Sequence, residues 1–190
     1  PDRERRERLA HRLQPLWDDL RVLGARGPGR LLVTEDIEEA VAGAWLVQEN
    51  VPEELALKRQ VFRTIEAVGE PSLVLASSTS ALVWSELSAE LARPARLVVA
   101  HPFNPVHLLP LVELFGSDDA LVRRLADFYS RLGKRPVRLA KERAGHIAGR
   151  LASALWREAV SLVADGVASV EEIDAALVNG PGLRFAVQGV

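Results

Sequence analysis

The sequence predicts an α/β fold: a doubly wound parallel sheet with helices on both faces, followed by an all-α segment. Three observations carry that prediction. Short apolar runs alternate with amphipathic helical patterns between residues 31 and 139, as β-α-β units require. Several of those runs end in polar clusters, and strand ends that face a ligand cleft have that character. From Gly145 onward the runs cease and only helical periodicity remains. The change places a domain boundary near 141–145 and divides the chain into residues 1–142 and 143–190.

In chain order, Leu9, Leu13, Leu16, Leu20 and Leu23 recur near the helical period among many charges, predicting a surface helix over 3–23 with Pro15 as a kink or boundary. The apolar runs Leu31–Val33, Ala44–Val47, Leu73–Ala76 and Leu97–Ala100 predict strands, and 35–42, 53–68 and 83–92 predict the intervening helices. Val112–Phe115 and Val137–Leu139 extend the sheet around a helix over 118–132, which the glycine of LGKRP stops. Helices over 146–165 and 169–178 follow, joined by DGVAS, and the tail NGPGLRFAVQGV reads as a loop entering a helix. The chain contains no methionine and opens on PDRERRERL within a helical pattern. It is therefore expected to be a piece cut at both ends.

A chain of 190 residues with 48% hydrophobic side chains can fill a core. A net charge of −2, with both signs mixed along the chain, points to a small-molecule partner and away from nucleic acid or an anionic membrane. Zero cysteines exclude a disulfide framework and a thiolate metal site. No apolar run approaches the roughly 20 residues needed to span a bilayer, and a cytoplasmic protein is expected. The apolar positions Ile147, Leu151, Leu155, Ala159 and Leu162 exceed what one small helical domain buries by itself, which predicts a homodimer.

Three predicted strands end in polar residues: Glu49 and Asn50, Ser77 to Ser80, and His101 with Asn104. On a doubly wound sheet these clusters converge on one cleft beyond the strands' carboxyl ends; each is also compatible with simple capping of the next helix. His101 follows an apolar strand and precedes Pro102 and Pro105, which restrict its backbone. Histidine as a residue type accepts and releases protons near neutrality. Glu113 is a charge inside the apolar run LPLVELF, which is costly unless the carboxylate is paired. A His101–Glu113 dyad satisfies both observations, with the carboxylate fixing the imidazole tautomer. An edge-strand Glu113 facing water and a His101 bonded to backbone satisfies them too. His11, His107 and His146 fall at surface or capping positions, and no histidine pair has metal-ligand spacing; no metal is expected.

The segments ASSTSAL, HPFNPVHLLPLVEL, GHIAGRL and WREAVSLVADGVAS together resemble the 3-hydroxyacyl-CoA dehydrogenase family. With ENVPEELALKRQVF, they most resemble its branch acting on free hydroxy acids, the carnitine dehydrogenase and gulonate dehydrogenase (lambda-crystallin) group. The resemblance implies a Rossmann-like NAD-binding domain followed by a helical substrate and dimerisation domain. It implies oxidation of a 3-hydroxy acid or a 3-hydroxyacyl-CoA to the 3-oxo product, with NAD as cofactor, His101 as base and Glu113 as its partner. Ser80 matches a residue between substrate and nicotinamide, Asn104 a residue near the nicotinamide, and Glu49 and Lys58 cofactor-contacting positions. Two features depart from the family pattern. The first strand and its GxGxxG turn are absent, and LGARGPG does not replace them because it follows a helix. Gly149 stands where the acyl-CoA enzymes usually carry a substrate-site Asn. Together they leave open a catalytically inactive or structural relative.

Overall fold

The computed structural model describes residues 32–189. The helix expected over 3–23, His11 and the LGARGPG stretch lie outside that range, and Leu32 and Val33 are not in a strand. The described chain forms two compact units, one ending at His146 and the other beginning at Ile147.

The first unit runs α1 (Ile37–Val41), β1 (Leu46–Glu49), α2 (Leu55–Val68), β2 (Val74–Ser77), α3 (Trp84–Ser88), β3 (Leu97–Pro102), β4 (Leu111–Gly116), α4 (Asp119–Arg131) and β5 (Arg135–Arg138). The five strands lie side by side in chain order. The inner strands alternate between two cores, because successive side chains point to opposite faces. Val74, Ala76, Val98, Ala100, Val112 and Leu114 pack with Val122, Leu125 and Tyr129 of α4. Leu73, Leu75, Leu97 and Val99 pack with Val41 of α1, Phe62 and Ile65 of α2, and Leu87 of α3. The helix spacings follow the same logic: Lys58, Phe62 and Ile65 of α2, and Val122, Leu125 and Tyr129 of α4, each fall on one buried stripe. Asp118 opens α4 by accepting from the amides of Ala120 and Leu121 at 2.8 and 3.1 Å, an N-cap bond.

Two expectations are corrected. The sheet is not wholly parallel: β1, β2 and β3 run parallel, as do β4 and β5, but β3 and β4 are antiparallel. The cause is the connection. Residues 103–110 contain no helix, and a parallel return needs a crossover of a dozen or more residues, about one helix with its loops. The helix expected over 83–92 stops at Ser88, because the amides of Ala92 and Arg93 donate to the Glu66 carboxylate, both at 2.8 Å, and Pro94 follows.

The second unit contains α5 (Ala148–Ala164), α6 (Val170–Asn179) and α7 (Pro181–Gln188). Ser169 and Glu172 form a reciprocal capping box at the start of α6, and Gly166, with φ of 69°, supplies the left-handed turn that ends α5. None of the residues in these three helices is buried.

Candidate active site

His101 and Glu113 are register partners on the antiparallel β3–β4 pair. Odd-numbered residues of β3 face the α2–α3 side, so His101 follows Leu97 and Val99 onto that face, and Glu113 projects beside it. His101 Nδ1 stands 2.9 Å from Glu113 Oε2. The pair is enclosed, with 8% of His101 and 1% of Glu113 exposed. A carboxylate only accepts, so Nδ1 carries the proton and the neutral imidazole holds its lone pair on Nε2. Phe103 meets the His101 ring edge-on at 6.1 Å between centroids. His146 lies against it at 5.2 Å and a 44° tilt.

Ser80 is exposed just beyond β2, on a loop held from several sides. One oxygen of Glu53, Oε1, accepts from Thr79 Oγ1 at 2.5 Å, from the Ser80 amide at 3.0 Å and from the Ala81 amide at 2.9 Å. Burial raises the Glu53 carboxyl, but the bonds from Thr79, Ala81 and Lys58 and the Lys58 charge outweigh it and hold the group below its ordinary value. Asn104 is exposed on the loop after β3.

The positions expected to touch a cofactor divide. Ser80 and Asn104 face outward, whereas Glu49 and Lys58 turn inward, 3% and 1% exposed. Lys58 Nζ contacts Glu49 Oε1 at 2.8 Å, the Val51 carbonyl at 3.0 Å and Glu53 Oε2 at 3.2 Å. These three oxygens take every donor an ammonium has. Glu49 also accepts from Ser77 Oγ at 2.7 Å and from the Val51 amide at 2.6 Å. The two residues form an internal ion pair that braces the end of β1 and, through Glu53, the Ser80 loop. Gly149 lies in the first turn of α5, in the second unit, where an added Cβ meets nothing within 4 Å; a side chain fits there.

Three residues that sequence reasoning did not assign belong to this region. Gln48 Nε2 donates to Ser78 Oγ at 2.7 Å and to the Ala100 carbonyl at 3.0 Å, while its Oε1 accepts from Tyr129. The polar end of β1 was the available signal, one residue away. Glu53 is the second. His146 is the third: expected at a surface or capping position, it is 4% exposed.

Comparison with known proteins decides the affiliation of this geometry. Residues 24–143 match the family description "3-hydroxyacyl-CoA dehydrogenase, NAD binding domain", and residues 145–190 match "3-hydroxyacyl-CoA dehydrogenase, C-terminal domain". The chain belongs to the 3-hydroxyacyl-CoA dehydrogenase family. It is 44% identical over 195 residues to a Bacillus cereus protein named L-carnitine dehydrogenase, covering 100% of this chain and 60% of that protein. A Streptomyces griseus protein of the same name is 47% identical over 188 residues, covering 96% and 56%. Among solved structures, an NAD+-dependent dismutase, 5-formyl-3-hydroxy-2-methylpyridine 4-carboxylic acid 5-dehydrogenase, superposes with a TM-score of 0.88 at 35% identity. That alignment covers 98% of this chain and 62% of the other. Mycobacterium tuberculosis FadB2 gives 0.72 at 36% identity over 78% and 53%. The chain thus spans roughly 56–60% of the length of these two curated relatives.

Proposed function

We propose that the protein is an NAD-dependent dehydrogenase that oxidises the 3-hydroxyl of a small, free 3-hydroxy acid of the L-carnitine type to the 3-oxo acid. In this reading His101 is the general base and Glu113 its partner. The observation that carries it is the enclosed His101–Glu113 contact of 2.9 Å, with His101 at the carboxyl end of β3. The two L-carnitine dehydrogenases at 44% and 47% identity support the substrate class.

The chemistry follows from the two side chains. His101 Nε2 takes the hydroxyl proton as the C–H bond of the same carbon breaks, leaving a carbonyl and an imidazolium. Glu113, already on Nδ1–H, stabilises the imidazolium charge and prevents the ring from presenting the wrong nitrogen. The Ser80 hydroxyl and the Asn104 carboxamide are uncharged, exposed and placed on the loops after β2 and β3. Hydrogen-bonding groups of that kind suit a nicotinamide and its ribose, with Ser80 also within the substrate's reach. NAD, when bound there, supplies the hydride acceptor. Glu49 and Lys58 contribute from beneath by holding the loop in shape. A homodimer formed through the helical unit belongs to the same reading: Leu151, Leu155 and Trp156 of α5 are 54%, 43% and 73% exposed. Light scattering of the full-length gene product that showed only monomer would remove that part.

The test is NADH formation by the full-length gene product with L-carnitine, gulonate, 3-hydroxybutyrate and 3-hydroxybutyryl-CoA, beside His101→Gln. Turnover is expected with L-carnitine, and His101→Gln lowers kcat by about 10²- to 10⁴-fold, the usual worth of a general base, while NAD affinity stays near wild type. Undiminished turnover in His101→Gln would remove the role of His101; preference for another substrate would move the specificity.

A further inference from the structure

We propose that His146 is a positioning residue that locks the Ser80 loop and the His101 imidazole into one unit. Its catalytic meaning rests on the dehydrogenase reading above; its geometry does not. His146 Nε2 lies 2.9 Å from the Thr79 carbonyl oxygen. A carbonyl only accepts, so this nitrogen carries the proton and the tautomer is fixed. The Thr79 carbonyl and the Ser80 amide belong to the same planar peptide unit, and the amide donates to Glu53 Oε1 at 3.0 Å. The plane immediately preceding Ser80 is therefore gripped at both edges, by an imidazole on one side and a carboxylate on the other. Bonds at the two ends of one amide polarise it in the same sense and strengthen each other.

The His146 backbone is built for this reach. Its φ of 49° is the only positive value among the described non-glycine residues, and an L side chain rarely adopts that conformation without a tertiary reason. Gly145 precedes it with φ of 76° and donates its amide to the Ala81 carbonyl at 3.3 Å. The His146 amide closes the turn onto the Arg143 carbonyl at 2.9 Å. Upstream, Glu142 accepts from the Ser85 amide at 2.8 Å. Residues 142–146 thus hold the Ser80 loop at two points, the Thr79 and Ala81 carbonyls, and the start of α3 at a third, and His146 is the one whose side chain continues to His101.

That side chain packs its ring 5.2 Å from the His101 ring, while Phe103 flanks His101 at 6.1 Å and Glu113 holds Nδ1. With one nitrogen bonded and two aromatic neighbours in place, rotation of His101 is restricted and Nε2 is the group left to meet a hydroxyl. The same imidazole that restrains His101 orients the peptide bearing Ser80. The His101 ring and the Ser80 loop are thereby kept in register, and orientation of this kind governs kcat more than binding.

The test uses the full-length protein with His146→Phe, which keeps an aromatic ring but loses the bond to Thr79, and His146→Gln, which can restore a donor to Thr79 without the ring. With the substrate that the wild type turns over, His146→Phe is expected to lower kcat roughly tenfold or more with KM changed far less, and His146→Gln to recover part of it. A merely structural role would instead lower the folded fraction and leave kcat per folded site unchanged. A second measurement needs no turnover: nitrogen-15 NMR of the His101 ring and of the Ser80 amide. Both signals are expected to shift in His146→Phe, whereas in His146→Gln the His101 ring shifts and the Ser80 amide stays near its wild-type position. A His146→Phe kcat within about twofold of wild type, with both signals unmoved, overturns the proposal. If His146→Phe does not fold, unmoved His101 ring signals in His146→Gln overturn it alone. Absence of wild-type turnover would remove the dehydrogenase reading, and the NMR comparison would still decide the coupling.

Discussion

Lys58→Met removes a cation enclosed almost completely by protein. The side chains of Lys58 and Glu49 are 2% and 1% exposed, and their charged atoms are 2.8 Å apart. Methionine is close in length to lysine and sits well on a stripe that already carries Phe62 and Ile65, so the change leaves little void. What it leaves is a buried carboxylate with only neutral donors, Ser77 Oγ and the Val51 amide. Removing one member of a buried ion pair costs about 3–5 kcal/mol, whereas replacing both members is often close to neutral. Lys58→Met should accordingly lose about 3–5 kcal/mol, a large part of the roughly 5–15 kcal/mol that holds a domain together. That loss corresponds to a fall in Tm of about 6–20 °C for a chain of this size. The double variant Lys58→Met/Glu49→Gln should return to within about 2 kcal/mol of wild type, because the glutamine amide oxygen still accepts from Ser77 or Val51. Urea denaturation followed by tryptophan fluorescence, run on wild type, both single variants and the double, yields the coupling energy directly. A Lys58→Met variant within about 1 kcal/mol of wild type, or a double variant no more stable than that single one, would refute the account of the pair as an enclosed brace.

The chain's one tyrosine, Tyr129, is buried, and burial pushes its phenol from 10.0 to about 12. Folding favours the protonated phenol, so its contribution to stability is complete below about pH 10 and is lost as pH rises toward about 12. Phenolate absorbance, read as a difference against Tyr129→Phe, should appear about two units higher in the folded than in the urea-unfolded chain; coincident titrations would contradict the burial. Gly116→Ala places a Cβ 3.1 Å from Val122 Cγ2, 3.2 Å from Val98 Cγ2 and 3.3 Å from the Leu97 carbonyl oxygen. It should cost about 1–3 kcal/mol in a urea titration, with partial recovery when Val122→Ala is added; an unchanged midpoint would mean that β4 and α4 pack more loosely than their contacts show.

Much of this arrangement was legible before the structure. The described strands fell close to the apolar runs because a buried strand is short, apolar and bounded by turn residues. His101 and Glu113 stood out because a polar residue in an apolar run must have a partner, and the structure supplies each with the other. Lys58 was legible as a position and misleading as a surface: it shares the spacing of Phe62 and Ile65, and that spacing turns a lysine inward whatever its charge prefers. Glu53 follows β1 among ordinary exposed acids, and only the fold brings its carboxylate to amides 27 and 28 residues away. His146 was illegible for a different reason. Its inward aim depends on a left-handed backbone at one non-glycine residue, and local sequence offers only the preceding glycine as a hint.

The antiparallel reversal that the sequence did not disclose is also what makes the dyad possible. Opposed residues on an antiparallel pair project to the same face with Cβ atoms about 4.5–5.5 Å apart, close enough for an imidazole and a carboxylate to bond across the strands. The register fixes His101 opposite Glu113, Ala100 opposite Leu114 and Pro102 opposite Val112. The opposition of His101 and Glu113 is therefore set by the connecting loop. A register slip of one residue would turn Glu113 toward α4 and deliver Val112 or Leu114 to the imidazole. A crossover helix in place of residues 103–110 would make β4 parallel to β3 and break the opposition altogether. The loop that carries Asn104 is thus under two demands at once: it presents an exposed carboxamide and it sets the register of His101 with Glu113. A length change there should part His101 from Glu113 even if every named side chain is retained.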